Sequence, residues 1–79
     1  MKLTYDPSHN IGYLRFREKS TQVQTISVSD ELNVDIDEDG KIYGIELLNA
    51  NEQLSADHLG AFVVVNQASG ESVEIDLPR

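Results

Sequence analysis

The stretch Leu32 to Leu48, LNVDIDEDGKIYGIELL, admits two incompatible folds, and the choice between them limits what the rest of the chain can be. By ligand spacing, Asp35, Asp37, Asp39, Gly40, Ile42 and Glu46 fall at positions 1, 3, 5, 6, 8 and 12 of a calcium-binding loop. By hydrophobic period, Leu32, Val34 and Ile36 alternate with Asn33, Asp35 and Asp37. After Asp39-Gly40, Tyr43, Ile45 and Leu47 alternate again, which is the signature of a β-hairpin. An EF-hand needs a helix on each side of its loop. A helix entering at Asp35 would place Ser27, Asp30, Glu31 and Val34 on its apolar face, and of these only Val34 is apolar. Period two fits better, since Ile26, Val28, Leu32, Val34 and Ile36 are all even-numbered and β-branched residues dominate. The hairpin is expected. A calcium-binding protein using Asp35, Asp37, Asp39 and Glu46 is the alternative.

Two registers suit the hairpin. With Asp39-Gly40 as a two-residue turn, both at positive φ, Glu38 faces Lys41, Ile36 faces Tyr43, Val34 faces Ile45 and Leu32 faces Leu47. A three-residue loop with Gly40 as a bulge would set Ile36 against Ile42 and Val34 against Gly44, pairing less apolar surface. The first register is expected. Asp35 and Asp37 then lie on the outer face, where their role is to solvate a turn and a surface.

At 79 residues the chain is one small domain, residues 1–79, that leaves much of its surface in water. It has no cysteine, so neither disulfides nor thiolate metal sites compensate for a small core, which favours association such as a homodimer. The net charge of -8, from 14 acidic and 6 basic residues, repels phosphate backbones and anionic lipid heads. No nucleic acid and no membrane partner is expected, and an acidic surface is compatible with a basic protein partner. No segment approaches the roughly 20 apolar residues that cross a bilayer, so a soluble, cytoplasmic protein is expected.

Taken in order, Met1 to Tyr5 reads as an edge strand stopped by the turn Asp6-Pro7-Ser8-His9-Asn10. A second strand from about Ile11 to Arg17 carries Leu14 and Phe16 on one face and Tyr13, Arg15 and Arg17 on the other. Glu18-Lys19-Ser20 reads as a turn and Thr21 to Val28 as a third strand. After the central hairpin, Asn49-Ala50-Asn51-Glu52 looks like an N-cap with a Glu three residues on. Leu54, Ala56 and Leu59 then give a short helix ended by Gly60. Phe62-Val63-Val64-Val65 is apolar on both faces, which predicts a strand covered on both sides by the helix or by another chain. Asn66 to Gly70 makes a loop, Val73, Ile75 and Leu77 alternate in a last strand, and Pro78 ends it.

Candidate chemistry is sparse. Asp6, Ser8 and His9 are the residue types of a hydrolytic triad, but they sit too close in sequence to converge across a fold, and no Gly-rich elbow supplies an oxyanion site. His58 has no second His or Cys at ligand spacing. Arg15, Arg17 and Lys19 make the one basic stripe, a seat for an acidic partner or, on the structural reading that outweighs it, charges that pair with the chain's own acids. No catalytic residue and no cofactor is expected.

Beyond these readings, the chain resembles the domain-of-unknown-function family 2283, small prokaryotic proteins. The resemblance rests on Tyr5-Asp6-Pro7, Tyr13-Leu14-Arg15-Phe16, the run from Val34 to Ile42, and Gly44-Ile45-Glu46-Leu47-Leu48-Asn49-Ala50, and it covers about residues 1–54. It implies a small β-rich fold in which DxDxDG is a hairpin turn, and it implies no catalytic residue. Antitoxin-like or regulatory roles beside a small partner are what it implies of function. Asn49 stands where the pattern has Asp, and residues 61–79 lie outside the pattern as additional strands.

The expected fold is α+β and β-dominated: an antiparallel β-meander, one short helix and a C-terminal β-hairpin that completes the sheet or swaps into a partner chain. The expected function is that of a non-enzymatic protein-binding or antitoxin-like accessory module. Its candidate interaction surface is Phe62, Val63, Val64 and Val65 with Arg15 and Arg17.

Overall fold

In the computed structural model, residues 1–18, 22–55 and 61–76 are described. The period-two pattern yields β1 (Lys2–Asp6), β2 (Ile11–Arg15), β3 (Val23–Ser29), β4 (Leu32–Asp37) and β5 (Ile42–Leu48). A helix α1 (Ala50–Ser55) follows, then β6 (Ala61–Val65) and β7 (Ser72–Asp76). The first five strands form one antiparallel sheet in the order β1-β2-β5-β4-β3, and β6 and β7 form a separate two-stranded sheet. The β-dominated α+β fold with its short helix and C-terminal hairpin is as expected. Sequence neighbours are also sheet neighbours within β1–β2 and within β3–β4–β5. The two runs join where β2 pairs with β5, Ile11 opposite Leu48 and Leu14 opposite Ile45.

The register gathers on one face of the five-stranded sheet Leu3 and Tyr5, Gly12 and Leu14, Ile45 and Leu47, Leu32 and Val34, and Ile26. Helix α1 packs on that face over β2. A Cβ added to Gly12 would stand 3.4 Å from both Ala50 Cβ and Leu54 Cδ1, so glycine is what lets the helix approach. Cover is thin, because Ala50 is the one buried hydrophobic residue among those described.

The central hairpin combines the two registers that the sequence allows. Leu32 faces Leu47 and Val34 faces Ile45, as in the expected register, but Ile36 faces Ile42 rather than Tyr43. Tyr43 is the additional residue of a β-bulge, and the end of the hairpin is the three-residue loop Glu38-Asp39-Gly40. Asp37 N–H donates to the Lys41 carbonyl (2.8 Å) and Gly40 N–H to the Asp37 carbonyl (3.0 Å), with φ of 78° at Gly40. Asp39 does not have the positive φ that a two-residue turn of the expected type requires. The bulge moves Ile42 onto the apolar face, which a strict alternation would have denied it.

The helix starts where expected, but its cap comes from elsewhere. Asn49 has φ of 53°, and the first free N–H groups of α1 are taken by Asn10, whose carbonyl accepts from Ala50 (3.0 Å) and whose Oδ1 accepts from Asn51 (2.8 Å). Asn10 is itself at φ 56°, and its Nδ2 donates to Asn49 Oδ1 (3.2 Å) and Asn51 Oδ1 (2.7 Å). At the other side, Gln53 Nε2 donates to the Glu31 carbonyl (2.9 Å) in the β3–β4 turn. The predicted helix end at Ala56, Leu59 and Gly60, along with His58, Lys19, Leu77 and Pro78, lies outside the described residues.

Phe62 to Val65 form β6 as predicted, but the cover expected on both sides is not there. Every residue of β6 and β7 is exposed except Ala61, which is intermediate. Within the single chain the two strands pair with each other and leave their side chains in water.

Candidate functional site

The hairpin β6–β7 turns on a loop built like that of the central hairpin. Asn66 Oδ1 accepts from Ala68 N–H (2.9 Å), Asn66 N–H donates to the Glu71 carbonyl (2.8 Å), and Gly70 at φ 78° donates back to Asn66 (2.8 Å). The strands are therefore set in register, with Phe62 opposite Ile75 and Val64 opposite Val73. These four side chains occupy one face, and their exposures are 37, 53, 50 and 60% respectively. Val63 and Val65 point the other way, opposite Glu74 and Ser72. One face of the hairpin is thus wholly apolar and open, while the other mixes valines with polar and acidic residues.

Arg15 and Arg17 belong to a different place. Arg15 lies on the sheet face opposite α1 and reaches Glu18 at 3.8 Å, and Arg17 Nη1 stands 3.5 Å from Asp37 Oδ2. Both guanidinium groups thus stand beside acids of the same chain. The structure does not join them to Phe62–Val65, which are in the other sheet.

Three of the four carboxylates of the calcium spacing, Asp35, Asp37 and Glu46, are separately engaged. Asp35 accepts from Tyr13 Oη (2.6 Å) and Thr25 Oγ1 (2.6 Å), and Glu46 accepts from Asn33 Nδ2 (2.8 Å). Asp37, expected to solvate the outer face, is buried at 8% exposure. Its Oδ1 accepts from the N–H groups of Asp39 and Lys41, both at 2.9 Å, so it organises the loop rather than solvating it. The Lys41 N–H is the main reason its carboxyl is held below the usual range, against the burial that would raise it. Asp39 sits in the hairpin loop. No group of three or more His, Cys, Asp or Glu gathers to hold a metal among the described residues.

Asp6, Ser8 and His9 form a capped turn. Asp6 Oδ1 accepts from Ser8 N–H (3.0 Å) and Ser8 Oγ (2.8 Å), while Asp6 Oδ2 stands 2.7 Å from His9 Nδ1. Ser8 Oγ approaches that same Nδ1 at 3.3 Å, whereas a triad uses one ring nitrogen for each partner. The bond to His9 above all, then that to Ser8, lowers the Asp6 carboxyl to about 2.

Sequence reasoning did not find the polar arrangement on the face opposite the helix. The Tyr13 ring lies across Gly44, so close that any Cβ there would collide with it, and its hydroxyl reaches Asp35, which in turn holds Thr25. One run of contacts thereby ties β2, β5, β4 and β3 together. A glycine inside a strand pattern, Gly44, is the signal that a ring passes over the backbone.

A family model described as a protein of unknown function (DUF2283) matches residues 2–51. No curated protein and no solved structure matches the chain. No helix among the described residues is long and apolar enough to cross a membrane.

Proposed function

We propose, on the premise that this chain belongs to the DUF2283 family of proteins of unknown function, that it is a non-enzymatic protein-binding module of antitoxin-like or accessory kind. The observation that carries this reading is the open apolar face of Phe62, Val64, Val73 and Ile75 on a hairpin that its own chain leaves exposed. A two-stranded hairpin is marginal in water by itself, so a surface of this kind is stabilised when another polypeptide covers it. The net charge of -8 supports a basic protein as the target of the remaining surface. The engagement of Asp35, Asp37 and Glu46 by their own neighbours supports a structural role for the DxDxDG loop over a calcium site.

The test is isolation of the tagged chain from host cells beside an untagged copy, as wild type and as the double variant Val64→Asp, Ile75→Asp. Retention of a stoichiometric polypeptide by the wild type, another protein or the untagged copy, and its loss from the variant is the expected result. A wild type that retains none overturns the reading.

A further inference from the structure

We infer that the polypeptide covering the β6–β7 hairpin is a second copy of this chain. The two copies exchange hairpins, so that Phe62, Val64, Val73 and Ile75 of each lie over the apolar sheet face of the other. The inference rests on the protein-binding reading and names its partner.

Surface area is the first argument. Accessible surface scales with mass such that a compact monomer of 8.8 kDa exposes about 4,800 Å². This chain exposes 6022 Å², about 1,200 Å² more than that scaling gives. Its Cα radius of gyration is 13.9 Å, where about 11.6 Å is expected of a compact chain of this length. Removing the excess from each of two copies would bury about 2,400 Å² in total, within the range of obligate homodimers.

Complementarity is the second. The chain carries two unfinished apolar surfaces of the same kind. One is the hairpin face, and the other is the sheet face around Leu14, Val34 and Ile45, which are only half-buried, with Ile26 exposed at 41%. Helix α1, the one helix among the described residues, packs on that sheet face over β2. A twofold axis relating two chains completes both surfaces in both copies at once and leaves none for a third, which a heterologous contact would not do. The packing is sheet on sheet, with apolar side chains of both faces interdigitating over about 10 Å.

Charge gives a signature that separates this partner from a basic one. Two chains of net charge -8 repel, so added salt strengthens their association, whereas it weakens capture of a basic protein.

The experiment is sedimentation equilibrium of the purified full chain across a salt series. It is combined with isotope-filtered NMR on a mixture of labelled and unlabelled copies, and with amide exchange of residues 61–65 and 72–76. The expected result is a mass twice 8.8 kDa, a dissociation constant that falls severalfold as salt rises, and intermolecular NOEs from Val64 and Ile75 methyls to Val34 and Ile45. Val64→Asp with Ile75→Asp then gives a monomer, while the amide shifts of β4 and β5 persist in strand positions. A dimer whose hairpin NOEs are all within one chain overturns the exchange. A monomer whose hairpin amides exchange freely overturns the second copy and leaves the protein-binding reading standing with a different partner. A monomer whose hairpin is protected overturns both.

Discussion

The hydroxyl of Tyr13 and the carboxyl of Asp35 are the residue pair on which the polar face of the sheet depends, because together they cross three strands and the Thr25 hydroxyl carries the contact to a fourth. Tyr13→Phe leaves the ring over Gly44 and removes the bond to Asp35, so we expect a loss of about 1 kcal/mol in urea unfolding. Burial and then the Asp35 carboxylate raise the Tyr13 phenol well above its ordinary 10.0. The folded chain therefore keeps this proton at a pH where the unfolded chain gives it up, and stability falls as pH rises above about 10. Tyr13→Phe should flatten that alkaline arm. Asp6 and Asp37 act in the opposite direction. Their folded carboxyls lie below the ordinary 3.8, Asp6 at about 2, so their contribution is complete above 3.8 and is lost as pH falls through the folded values. Thermal melts from pH 5 to 2 should show a declining midpoint, with a smaller decline in Asp37→Asn. Of these residues the sequence announces only part. Alternation places Asp35 and Asp37 on the face opposite the helix, but it does not foretell that Asp37 is buried there and turns back to accept backbone N–H groups, since that depends on loop geometry rather than on polarity.

Hairpins and helix ends show how the same limit works over longer stretches. The strands of the central hairpin were readable because one buried face imposes period two, and the meander from β3 to β5 follows from short turns. The bulge at Tyr43 was not readable, because both registers pair apolar residues and the choice is made by whether Asp39 or only Gly40 adopts positive φ. Likewise Asn49 carries the sequence signature of a cap, yet Asn10 supplies the acceptors from a turn far away in the chain. Asn10→Gly keeps the positive φ available and removes the side chain. We expect it to cost about 1 kcal/mol and to shift the amides of Ala50 to Ser55 toward coil values in two-dimensional NMR. Asn49→Gly, which leaves the Asn10 cap in place, should cost less. The DxDxDG loop lends itself to a parallel check. Since Asp37 already serves the loop's own N–H groups and Asp35 serves Tyr13 and Thr25, millimolar calcium should leave the amide shifts of Asp35 to Glu46 and the melting midpoint unchanged.

For the molecule as a whole, a strand order in which β2 meets β5 instead of β3 ties the two ends of the five-stranded sheet's sequence together. Period and turn residues foretold the strands and the C-terminal hairpin, because these are local; that the hairpin forms a sheet of its own instead of completing the larger one was not foretold. They did not foretell the β2–β5 pairing, the strand pairing that joins the two runs, because any two strands with matching apolar faces satisfy the pattern equally. That join has a consequence in time. A chain leaving the ribosome presents β1 and β2 early, but the edge they need is not complete until Leu48 has emerged, and Asn10 cannot cap α1 until both are in place. Loop closure of that length is slow to be repaid by contacts, so the meander β3–β4–β5 is the element that gathers first and the β1–β2 hairpin docks afterwards. Stopped-flow refolding checks this order: Val34→Ala should slow folding, whereas Leu3→Ala should chiefly speed unfolding. Until docking, the newborn protein holds Leu14 and the faces of Ile45 and Leu47 in the open, and its safety in the cell rests on how briefly that interval lasts.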